Sequence, residues 1–136
     1  MVPGHRRSPV ERLLNLLLVA VGGALGALCR WGLGTVFPPT DGFPWLILGI
    51  NVAGCLAIAA LPALESIRRS TALTLLLGPG FLGGFTTLSA YAEDGRSLLA
   101  DGRPALALTY LAATLIACTT AVHVARRLTP THGGTP

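Results

Sequence analysis

LTLLLGPGFLGGFTTLSAYA, residues Leu73–Ala92, is apolar enough to lie in a membrane and ill suited to an uninterrupted helix. Gly78-Pro79-Gly80 and then Gly83-Gly84 interrupt it, and Thr86, Thr87, Ser89 and Tyr91 follow as a cluster of polar groups at membrane depth. A segment that only anchors a chain in lipid needs neither feature. Non-helical backbone survives inside hydrocarbon only where it is buried in protein or lines a polar cavity. The stretch is therefore expected to be a membrane helix broken at its glycines, and the working part of the chain.

Composition agrees with a membrane setting. Of 136 residues, 51% are hydrophobic and 12% charged, whereas a soluble domain carries about 25% charged residues. The charges collect at the chain ends and between long apolar runs, the pattern of a single-domain polytopic membrane protein. All ten basic residues are arginine, and the net charge is +4. The arginines flank apolar runs with no aromatic-basic surface beside them, which speaks for topology signals and against nucleic acid. Cys29, Cys55 and Cys118 sit in apolar runs without metal-ligand spacing and are read as packing residues. His5, His123 and His132 are scattered near the ends and are read as non-catalytic.

Outward from the central stretch, the chain divides into a basic head (1–12), a four-span domain (13–125) and a tail (126–136). The head precedes a run that is long and lacks a cleavage site, so it is expected to lead into an uncleaved first span. The spans are predicted at about 13–33, 44–64, 73–92 and 104–124. Small residues Gly22, Gly23, Gly26 and Ala27 give span one a face for close backbone approach. Arg30 near its end either snorkels to the interface or faces a vestibule and pins a neighbouring loop. Asn51 lies in span two, where an amide is costly unless paired; it either glues helices together or offers its NH₂ to a passing ion. Glu93-Asp94-Gly95-Arg96 is taken as the end of span three, and Leu98–Arg103 as the third connection. Tyr110, Thr114 and Cys118 recur every four residues and share one face of span four, either for packing or for more. Arginines at the head, second loop and tail place both termini in the cytoplasm by the positive-inside rule.

No constellation suits covalent chemistry: the acids lie in loops, and Ser89 has no histidine near it in sequence. The hydroxyls and the amide can instead line a path for a small dehydrated ion. Breaks in the third span free backbone carbonyls for a cation or N–H groups for an anion. A chain this short encloses little alone, so a dimer is expected to complete the cavity.

Three motifs in order carry a family resemblance: Gly22-Gly23-Ala24-Leu25-Gly26-Ala27-Leu28-Cys29-Arg30-Trp31, Gly49-Ile50-Asn51-Val52-Ala53-Gly54, and Gly80-Phe81-Leu82-Gly83-Gly84-Phe85-Thr86-Thr87-Leu88-Ser89. Together they resemble the CrcB/Fluc family of fluoride channels over about residues 13–125. The resemblance implies an all-α membrane protein of four transmembrane helices, the third broken mid-membrane, paired in an antiparallel dimer within the lipid bilayer of a bacterial inner (cytoplasmic) membrane. It implies passive fluoride export that lowers cytoplasmic fluoride, and a structural Na⁺ at the centre of the dimer. Gly83 and Thr86 look like the positions whose carbonyls hold that Na⁺. Asn51 resembles the pore-lining asparagine, Arg30 the arginine by the vestibule, and Ser89 the polar-track serine. Tyr110, Thr114 and Cys118 fall where the family's span-four tyrosine and polar track lie.

One departure stands out. The family typically continues Thr-Thr-Phe-Ser-Thr-Phe, but this chain has Leu88 and Tyr91 at the two pore-facing aromatic positions. Leucine has no electropositive ring edge to offer an anion. With the strong arginine bias, this favours one subunit of a heterodimer whose partner is a non-identical CrcB-like chain of opposite orientation. The alternatives are a homodimeric fluoride channel with atypical pore residues, or a gradient-coupled small-ion transporter. The transporter usually needs an ionisable residue mid-span, and none is expected here.

Overall fold

The computed structural model of the chain describes residues 8–38 and 42–129. The expectations placed on His5 and the arginines Arg6 and Arg7 of the head, and on the tail beyond Thr129 with His132, fall outside the described residues.

The described residues form helices and connections with no strand among them, and four helical stretches are long and apolar enough to cross a membrane. Helix α1 (Pro9–Val36) starts on a capping box: Ser8 Oγ accepts from the Glu11 amide and Glu11 returns the bond to the Ser8 amide, with Pro9 at the first position. Helix α2 (Trp45–Ala60) continues through a 3₁₀ turn, Leu61–Ala63. Together they give a 19-residue crossing, about 28 Å long at 1.5 Å per residue. A short α3 (Glu65–Arg68) carries the surface ion pair of Arg69 with Glu65 and leads to the third crossing. Helix α7 (Pro104–Leu128) makes the fourth.

The third crossing runs from Thr71 to Ala100 in pieces. Helix α4 (Thr71–Leu75) passes into a π-helical segment, Leu76–Leu82, then α5 (Gly83–Phe85), then an unwound step at Thr86-Thr87, then α6 (Leu88–Ala100). The break is thus real but lies downstream of the glycines. Pro79 sits inside the π-helical turn, where the wider i→i−5 bonding absorbs a residue that has no N–H to give. Gly83 is helical, with φ −64° and ψ −35°. The extended residues are Thr86 (φ −75°, ψ 155°) and Thr87 (φ −148°, ψ 116°).

The third crossing also extends past Tyr91 and Ala92. Glu93-Asp94-Gly95-Arg96, expected to end it, lies within α6 because each of its members is accommodated there. Glu93 and Arg96 pair on the exposed face, Asp94 accepts a hydrogen bond from Tyr110, and Gly95 is buried against the Leu111 side chain. Helix α6 ends in a Schellman turn, where Arg103 N–H reaches Leu98 O at 2.9 Å, Gly102 N–H reaches Leu99 O at 3.1 Å, and Gly102 takes φ 71°.

Helix α1 packs on the π-helical segment and α5, while α7 packs on both α2 and α6. The first contact is backbone on backbone. A Cβ on Gly22 would lie 2.2 Å from the Leu76 carbonyl oxygen, and one on Gly26 would lie 2.0 Å from that of Phe81. The opposite side of α1 presents Leu13, Leu16, Leu17, Val21 and Leu28 outward, as a lipid-facing surface requires. A small core of Leu98, Ala107 and Tyr110, backed by Phe43, Leu48 and Tyr91, fastens α6 to α7 and the start of α2.

Candidate functional site

The unwound step is held by Asn51. Its Nδ2 donates to Thr87 O at 3.1 Å, and its Oδ1 accepts from Thr87 N–H at 2.9 Å. One side-chain amide thus replaces the helical acceptor that Thr87 N–H has lost and adds a donor to the Thr87 carbonyl, which as the N-cap also starts α6. Both residues are buried, so these bonds are shielded from water. Thr87 Oγ1 then caps α6 by accepting from the Ala90 amide at 3.1 Å, and it lies 3.1 Å from Ser89 Oγ. Asn51 therefore glues helices; its second N–H is not used by Thr87 and remains for other acceptors.

This rearrangement has a consequence for two carbonyls. In a continuous helix Gly83 O would accept from the Thr87 amide and Thr86 O from the Ala90 amide. Thr87 N–H instead goes to Asn51 and Ala90 N–H to Thr87 Oγ1. Gly83 and Thr86, the residues the resemblance pairs with Na⁺, are among those whose carbonyls lose their helical donors at this step. The intervening Gly84 O accepts from Arg30 Nε at 3.4 Å, so the arginine at the end of α1 pins the end of α5. Thr86 Oγ1 turns back to Leu82 O at 2.9 Å.

Beside the break runs a groove of about 380 Å³, open along one side and walled mostly by apolar groups. Asn51, Gly54 and Cys55 line it from α2, Thr114 and Cys118 from α7, and Gly83, Thr86, Leu88 and Tyr91 from the third crossing. Gly54 is needed for the fit, since a Cβ there would meet Thr86 Cγ2 at 2.1 Å. Thr114 is 4% exposed, and its hydroxyl has no hydrogen-bond partner. Leu88 is 78% exposed at the open side, and a Cβ on Gly83 would meet nothing within 4 Å.

Not every residue singled out in the sequence faces the groove. Tyr110 is fully buried, and its hydroxyl donates to Asp94 Oδ2 at 3.1 Å beneath an edge-on contact with Phe43. Tyr91 lines the groove but donates its hydroxyl to Leu111 O at 2.9 Å. Ser89 is exposed beside Thr87 and does not line it. Three participants escaped the sequence assignment of sites: Thr87, Cys55 and Asp94. For Cys55 a signal was present, since it follows Asn51 by four residues as Cys118 follows Thr114.

A helix unwound beside an open groove, with hydrogen-bonding groups set into apolar walls among four membrane-length helices, marks a small polytopic membrane protein. The chain belongs to the CrcB-like protein family, described as Camphor Resistance (CrcB), which matches residues 17–126. It is 45% identical over 111 residues to the fluoride-specific ion channel FluC 1 of Streptomyces coelicolor, covering 79% of this chain and 72% of that one. It is 43% identical over 109 residues to the fluoride-specific ion channel FluC of Paracoccus denitrificans, covering 79% of this chain and 88% of that one. A similar likeness, 43% over 105 residues and 75% of both chains, links it to FluC 2 of Nocardia farcinica. These relatives are channels by name, not enzymes.

Proposed function

We propose that the chain is a subunit of a fluoride-selective channel that lets fluoride leave the cytoplasm passively through the bacterial inner membrane. The observation that carries this is the Thr114 hydroxyl, buried without a partner in a residue that lines the same groove as Asn51. Leaving a buried hydroxyl unpaired costs about 1–3 kcal/mol, which is kept where a ligand completes it. A small anion that only accepts hydrogen bonds is such a ligand, and the relatives at 43–45% identity carry fluoride in their names.

The groove is open, so a second subunit is needed to close it, and the exposed Leu88 and the unobstructed Gly83 mark the side on which it docks. Gly83 and Thr86 offer a hard cation such as Na⁺ two carbonyl oxygens per subunit, and a facing copy completes the set. Leu88 at an aromatic position and the arginines grouped at the start of α1, around α3 and at the end of α7 favour a non-identical partner and cytoplasmic termini.

The test is fluoride efflux from liposomes, read by a fluoride electrode. The chain alone should give little flux, and co-assembly with a second CrcB-like chain of opposite arginine bias should restore it. Robust efflux from this chain alone overturns the heterodimer and leaves a homodimeric channel. Absence of fluoride flux from every stable assembly overturns the channel itself.

A further inference from the structure

Cys55 and Cys118 belong to different helices, α2 and α7, and line the same groove. Each stands one turn beyond a polar groove residue, Asn51 and Thr114 respectively, and each is half-buried. The two thiols line one groove from helices that pack against each other. Neither the Asn51 clamp nor the orphan Thr114 hydroxyl uses them.

Among the described residues no group of three or more His, Cys, Asp or Glu could hold a metal ion. A four-coordinate zinc site is therefore not built here. Two thiols from neighbouring helices in one groove, with no third ligand, suit a soft d¹⁰ ion that is content with linear coordination. The walls then choose the charge. Two thiolates neutralise a divalent ion, whereas with a monovalent one they leave a net negative charge buried among apolar groups. We propose that Cys55 and Cys118 form a two-thiolate site for a soft divalent ion of linear geometry, with mercuric ion the best fit. Two S–H bonds and the ion's two bonds to chloride or water break, two S–Hg bonds form, two protons and the displaced ligands leave to solvent, and nothing is oxidised or reduced. The bound ion ties α2 to α7 and occupies the groove, so it should also stop ion passage; that last consequence alone rests on the channel function.

Mercuric chloride titration of the reduced, detergent-solubilised protein carrying Cys29→Ser tests the site, since Cys29 is exposed on α1. One equivalent per chain should bind with release of two protons, and that one equivalent should protect both remaining thiols from maleimide, read by intact mass. Cys55→Ser or Cys118→Ser, added singly, should weaken binding against a competing small thiol by about 10²–10⁴-fold, because the second thiol acts as an intramolecular ligand. Protection of only one thiol per equivalent overturns the site without needing a further variant. So does one mercury bridging two chains, or a single-cysteine variant that competes as well as the pair.

Discussion

Replacing Asn51 with alanine removes one hydrogen bond from the N–H and one from the carbonyl of Thr87 at once. The bonds lost are 3.1 and 2.9 Å long, between residues 9% and 7% exposed. The Thr87 N–H left unpaired costs about 1–3 kcal/mol and the lost second bond to its carbonyl about 1 kcal/mol more, so the two set a ceiling of about 4 kcal/mol. The vacated space opens on the groove, where water can enter and satisfy part of the loss. The expected cost is therefore about 2–3 kcal/mol, or roughly 8–12 °C in apparent melting temperature for a chain of this size. Thermal unfolding in detergent measures the shift, and amide hydrogen exchange at Thr87 locates it: protection should fall there before it falls in α7. Asn51→Asp should fare no better, because it keeps an acceptor for Thr87 N–H but sets an oxygen against Thr87 O. A melting temperature within about 2 °C of the parent, with Thr87 still protected, would refute the clamp and return Asn51 to a role toward the ion alone.

Four further substitutions probe independent features. Thr114→Val removes an unpartnered buried hydroxyl while keeping the shape, so stability should hold or rise by up to about 1 kcal/mol while fluoride flux through the assembled channel falls; a loss of stability would mean the hydroxyl has a partner. Gly26→Ala drives a Cβ into the Phe81 carbonyl and should cost about 1–3 kcal/mol or prevent folding, seen in melting and expression. Gly83→Val meets nothing in its own chain, so the folded subunit should persist and only assembly should fail; size-exclusion chromatography separates the two outcomes, and an intact assembly refutes the docking side assigned to Gly83. Tyr110→Phe strips the Asp94 carboxylate of its donor and should destabilise by about 1.5–3 kcal/mol by thermal unfolding.

The four crossings were legible because lipid imposes a length and an apolar composition that few other settings demand. That the third is interrupted was legible too, from its glycines and proline. Where it unwinds was not. Gly78-Pro79-Gly80 is absorbed by a π-helical turn, and the extended step falls at Thr86-Thr87 because Asn51, 36 residues earlier than Thr87, supplies substitute partners. Local propensity cannot contain that information. The length of α6 was hidden for the same reason: Glu93 to Arg96 reads as an exit from the membrane until Tyr110 is brought to Asp94. The four-residue spacing placed Tyr110, Thr114 and Cys118 on one face of α7. It could not say that the first of them would go to the core and the other two to the groove.

The clamp on the break also bears on the order of events in biogenesis. Both groups that Asn51 satisfies belong to its own chain, so the kink is fixed before any second chain arrives. A newly inserted subunit waits in the bilayer with its unwound turn already protected from hydrocarbon. In the proposed dimer, meeting another subunit then requires docking of two preformed chains rather than the melting of a helix in lipid. Encounter in the plane of the membrane, rather than refolding, should set the rate of assembly.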